Sequence, residues 1–85
     1  MDQEFGVLID SPKLGSKPKL LEIYDGKSKV YRTNDLLDAE EQARKQLGDF
    51  KDTDMVCSVV PLNGNSFGSP LKRYRFDGSW AREIK

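Results

Sequence analysis

The chain has 85 residues, 14 basic and 14 acidic side chains and no net charge, so it makes a single domain with no overall basic excess. A chain this short buries roughly 60–65% of the surface its unfolded form exposes, enough for one modest core but not for a deep cofactor cavity. Histidine is absent and Cys57 is the single cysteine, which excludes an intrachain disulfide and a His/Cys zinc site and removes the commonest general base. The expectation is a protein without catalytic residues, cofactor or metal. The unbridged cysteine and the lack of any run of about 18 apolar residues point to a cytoplasmic protein with no membrane partner.

Charge falls in blocks. Residues 1–12 carry net −3, 13–32 net +4, 33–54 net −4 and 71–85 net +3, while 55–70 carry none. One basic and one acidic surface can therefore coexist on a neutral molecule.

The run Phe5 to Ile9 reads as a short strand. Residues 11–19, with two prolines, a glycine and three lysines, read as a loop or mobile arm. Asp25-Gly26 between two apolar runs predicts a hairpin with a two-residue turn. That turn pairs Tyr24 with Lys27 and Glu22 with Lys29, and puts Leu21, Ile23 and Val30 on one face. Thr33-Asn34-Asp35 supplies N-cap side chains for a helix over about 35–47. Leu36, Ala39, Ala43 and Leu47 form its apolar stripe. Glu40–Arg44 and Glu41–Lys45 are favourable i, i+4 pairs, and Gly48 occupies the expected left-handed end.

Met55 to Val60 reads as a buried strand and 61–70 as a polar loop. Leu71 to Phe76 and Ser79 to Ile84 form a second hairpin about Asp77-Gly78, with Arg75 beside Trp80. The element order is β-ββ-α-β-ββ. One helix covers one face of a sheet, so the expected class is α+β: an antiparallel sheet of four to six strands with the helix on one side.

Gly64 to Gly68 matches G-x-S-x-G, but no histidine is available to serve Ser66 and a loop surrounds it. Asp49, Asp52 and Asp54 lack the glycine bend and distal glutamate of a calcium loop. Neither nucleotide-binding glycine motif is present.

Two surfaces carry the functional expectation. Asp38, Glu40, Glu41, Asp49, Asp52 and Asp54 form an acidic helix and connector suited to docking on a basic protein partner. Arg73, Arg75, Trp80 and Arg82 share one face of the last hairpin, where they can neutralise phosphates and stack bases. Gly78 to Ile84 resembles the G-x-W-x-x-E-I strand of the plant ethylene-response DNA-binding domain, and Tyr31 to Ala43 is similar to that domain's strand and helix. There the strands precede the helix, the reverse of the order here, so none of its residues carries over. The overall plan resembles small phage-encoded inhibitors, including some anti-CRISPR proteins. That plan implies a small accessory protein that blocks or bridges a larger partner. Docking through the acidic surface is the leading expectation, and nucleic-acid binding through the arginine/tryptophan hairpin is the alternative.

Overall fold

A computed structural model describes residues 3–12, 17–64 and 66–84. The strands are β1 (Glu4–Asp10), β2 (Lys19–Leu20), β3 (Glu22–Tyr24), β4 (Ser28–Val30), β5 (Val56–Asn63), β6 (Ser66–Phe67), β7 (Lys72–Phe76) and β8 (Ala81–Ile84). Among the described residues one α-helix, α1 (Leu36–Phe50), lies between β4 and β5 in the chain. The main sheet runs β2-β1-β5-β7-β8, with β6 on β5 beyond β7, and every pairing in it is antiparallel. The expected α+β class is therefore the observed one. Residues 13–16 of the expected 11–19 arm lie outside the described residues.

α1 starts where the cap residues predict. The Asp35 carboxylate accepts the Leu37 N–H at 3.0 Å, and Thr33 Oγ1 accepts the Asp35 N–H at 3.1 Å. It does not end at Gly48. The helix runs on to Phe50 and terminates at Lys51, whose φ of 53° is left-handed and whose N–H bonds the Leu47 carbonyl. The glycine at 48 has the conformational freedom for a left-handed end, but Leu47 holds the last turn on the sheet and the chain stays helical past it. The buried stripe is Ala39, Glu40, Ala43 and Leu47, while Leu36 stands half outside it. The small side chains of Ala39 and Ala43, fully buried, let the helix lie close to the strands.

Alternation along the strands splits the sheet into two faces. Val7, Ile9, Cys57, Val59, Tyr74 and Phe76 face the helix and form the main core with Leu21, Tyr31, Met55 and Leu47. On the other face Leu8, Val60 and Leu62 cluster under Leu20 and Val30. That cover reaches only the β1–β5 half of the sheet. Gly6 leaves room there for Leu62: a Cβ at this position would sit 3.1 Å from the Leu62 side chain, which would have to shift slightly.

Both hairpins depart from the two-residue turn. Tyr24 opposes Ser28 and Ile23 opposes Lys29, which leaves a three-residue loop, Asp25 to Lys27. Only Gly26 takes a positive φ there, whereas the expected turn needs Asp25 positive as well. The one-residue slip puts Ile23 with Lys29 and Glu22 with Val30, in place of the expected apolar face. β3 and β4 form their own two-stranded sheet off the β1 edge, held at its base by Leu21 N–H to Val7 and Tyr31 N–H to Leu21. Ile23 and Tyr24 are exposed on it.

The region expected as a loop over 61–70 is partly strand. β5 continues through Pro61 to Asn63, and β6 turns back on it. Proline is tolerated because its missing donor points to the irregular stretch between β6 and β7, where the Pro61 carbonyl takes the Gly68 N–H at 3.0 Å. Asn65 of the G-x-S-x-G match lies outside the described residues, and its Ser66 opens β6, not a helix.

The helix end gives a stability test. Lys51→Gly removes left-handed strain and Gly48→Ala removes a helix-interior glycine, so each should stabilise by about 1 kcal/mol. Thermal unfolding checks both; a lower midpoint for Lys51→Gly would place the helix end elsewhere.

Candidate nucleic-acid interface

The position of α1 decides which side chains are free. Glu40 lies under the helix, 7% exposed. Its Oε1 accepts a hydrogen bond from the Tyr74 hydroxyl at 3.0 Å and pairs with Lys72 Nζ at 2.6 Å. The Arg44 guanidinium lies 5.9 Å over the Tyr74 ring, so Arg44 engages the same cluster through an aromatic face. The ammonium of Lys72 holds the Glu40 carboxyl below its ordinary range, against the opposing effect of burial. Reciprocally, Glu40 raises Lys72. The Tyr74 hydroxyl is pushed up by burial and then by its bond to Glu40.

Of the six acids expected to form a docking surface, three are engaged within the fold. Glu40 is buried under the helix as described. Asp38 accepts a hydrogen bond from the Tyr31 hydroxyl, and burial, then that bond, raises the Tyr31 phenol. Asp52 caps its own turn, accepting the Asp54 N–H at 2.9 Å. Glu41, Asp49 and Asp54 remain exposed, but Lys45 stands midway between Glu41 and Asp49 on the helix at four-residue spacing. The acidic set is therefore divided rather than gathered.

The basic set is gathered. Lys72, Tyr74 and Phe76 point to the helix, so Arg73 and Arg75 must point away from it. Arg75 lies directly opposite Arg82, and Arg73 opposite Ile84. The expected register was two residues shorter and set Arg75 beside Trp80. The hairpin instead closes through a four-residue loop, Asp77 to Trp80, with Asp77 N–H bonded to the Trp80 carbonyl at 2.9 Å. A shift of two leaves every paired strand residue on its expected face, while Ser79 and Trp80 pass into the loop. Asp77 builds that loop. Its Oδ1 accepts the N–H groups of Ser79 and Trp80, both at 2.8 Å, and its Oδ2 pairs with Arg82 Nε. These donors, the Trp80 amide first, lower its carboxyl to about 2.

Among the described residues the side chains of Arg73 and Arg75 have no hydrogen-bond or ion-pair partner and are exposed. Directly opposed like charges, as in Arg75 and Arg82, destabilise an antiparallel pair. By pairing and alternation Phe67 and Leu71, expected in a connector, fall on the same face of the sheet, with Phe67 also lining a cavity beside Leu20 and Glu22. Phe67 opposes Leu62, and Leu71 continues the Arg73–Arg75 row by alternation. Parity counted back from Arg73 signals Leu71; nothing in the sequence signalled Phe67, because β6 was not legible.

Other chemistry-bearing groups are quiet. Cys57 is fully buried, and burial pushes its thiol up to about 12, which leaves it uncharged at neutral pH. Among the described residues no three Cys, Asp or Glu side chains gather as a metal site. No helix of the described residues is long and apolar enough to cross a membrane. Comparison of the chain with protein families, with curated proteins and with solved structures finds no match.

The Glu40 cluster sets a pH dependence. A carboxyl held low in the fold contributes stability above its unfolded pKa and loses it as pH falls through the folded value. Acid unfolding monitored by circular dichroism should therefore show a steeper loss below about pH 4 for the wild type than for Glu40→Gln, which should also be less stable at pH 7. Parallel acid limbs for the two proteins would remove Glu40 from this role.

Proposed function

We propose that the protein is a non-enzymatic, cytoplasmic nucleic-acid-binding accessory module whose working surface is the helix-free face of β7 and β8. One observation carries this reading: Arg73, Arg75 and Arg82 stand together on an exposed sheet face, two of them directly opposed, and among the described residues Asp77 alone pairs with any of the three. Such an arrangement costs stability unless an anion is drawn to it. Phosphates are the anions that Arg recognises by its planar fork, and Trp80, exposed in the loop that joins β7 and β8, offers a stacking surface. The division of the acidic residues makes docking on a basic protein the weaker of the two readings. Under this proposal the module needs no cofactor and no metal.

Binding of a labelled oligonucleotide measured against salt tests it. With two to three phosphates neutralised, the logarithm of affinity should fall against the logarithm of salt with a slope of about −2. Arg73→Ala and Arg75→Ala should each flatten that slope by about one ion, uniformly across sequences. Arg82→Ala should also loosen the Asp77 loop. Salt-independent binding that survives both arginine changes, together with partner capture lost on reversing Glu41, Asp49 and Asp54, would favour a protein partner instead.

A further inference from the structure

In strand order the arginines on the helix-free face lie between two residues with exposed aromatic side chains. Trp80 stands at the β7–β8 loop, 65% exposed, and Phe67 stands at the far end in β6, 45% exposed. Leu71, 53% exposed, adds apolar surface beside Phe67. Phe67 opposes Leu62 near the end of β5, whereas Trp80 opposes Asp77, just past the residue pairing at Val56. Counting the rise per residue along β5, the backbone positions of the two residues are separated by roughly 25 Å. Single-strand-binding folds of comparable size cover about 4–16 nucleotides, which places such a span at the lower end of their range.

A duplex gives these rings nothing to stack on, because its base faces are turned into its own stack. Unpaired bases present their faces to any aromatic surface. A sheet face that carries arginines in its middle and an aromatic at each end fits a chain whose phosphates lie centrally and whose bases splay outward. Arg73 and Arg75, which have no side-chain partner among the described residues, are the groups free to take those phosphates. Arg82 is held by Asp77, so it borders the site and keeps Trp80 in place.

We propose that the occupant of this face is single-stranded nucleic acid, with bases stacked on Trp80 and Phe67 and phosphates held by Arg73 and Arg75. This rests on the nucleic-acid reading above and adds strandedness and the two aromatic contacts to it. Trp80 is the chain's one tryptophan, so its fluorescence reports the stacking directly.

The experiment titrates the full chain with short oligo(dT), with a duplex of equal length and with heparin. The expected result is quenching of Trp80 fluorescence by oligo(dT) and at least about tenfold tighter binding of oligo(dT) than of duplex. By anisotropy of labelled oligo(dT), Trp80→Ala and Phe67→Ala should each weaken binding by about five- to 100-fold, and Trp80→Phe should retain most of it. Heparin affinity, set by charge alone, should stay within about twofold for all three variants. Circular dichroism confirms that each variant is folded; for a variant that is not, Trp80 quenching in the wild type and Trp80→Phe supply the readout. Equal affinity for duplex and single strand, with no loss in the aromatic variants, would overturn the single-strand assignment while leaving nucleic-acid binding intact. Absence of binding to all three polyanions would overturn both.

Discussion

The Glu40 carboxylate fixes the molecule's two sides. A charge this deeply placed needs partners, and it finds them in Lys72 and Tyr74 on β7. That contact seats α1 over β7, and strand alternation does the rest. With Lys72, Tyr74 and Phe76 committed to the helix, Arg73 and Arg75 have nowhere to point but the opposite face. The pairing of β8 with β7 then sets Arg82 beside them. The ion pair beneath the helix therefore goes with Arg73 and Arg75 pointing to the helix-free face.

Coverage of the sheet follows the same logic. A single helix of 15 residues covers one face. The opposite face is closed over β1 and β5 by Leu20 and Val30, which come from the chain on the β1 edge. Nothing among the described residues extends that cover to β7 and β8, and the side chains there are the long, solvated ones suited to an open face. The neutral net charge hides this division. Seven of the 14 acids fall over residues 33–54, where several are engaged in the fold, while five of the 14 bases fall over 71–85 and six over 13–32.

Much of this was legible from sequence, and the misses have physical causes. The helix start follows from Thr33 and Asp35, whose side chains do cap local backbone donors. The faces of β7 and β8 survive a register error because that error is a multiple of the two-residue period. The first hairpin shows the opposite case: a slip of one residue exchanges faces, and its Asp-Gly signal did not fix the loop length. The helix end escaped because tertiary contact at Leu47 outweighs the preference of Gly48 for a left-handed turn. Glu40 was read as an exposed half of an i, i+4 pair, yet it lies between Ala39 and Ala43 on the apolar stripe. A charge inside such a stripe signals a buried partner, and only the fold reveals that Lys72 and Tyr74 supply it.

The proposed working surface is the helix-free face of β7 and β8. Amide chemical-shift mapping by NMR during titration with a single-stranded oligonucleotide tests that most directly. The shifts should concentrate at Phe67, Leu71, Arg73, Arg75, Trp80 and Arg82, with α1 unchanged. Shifts confined to Asp38 through Asp54, with β7 and β8 silent, would contradict it.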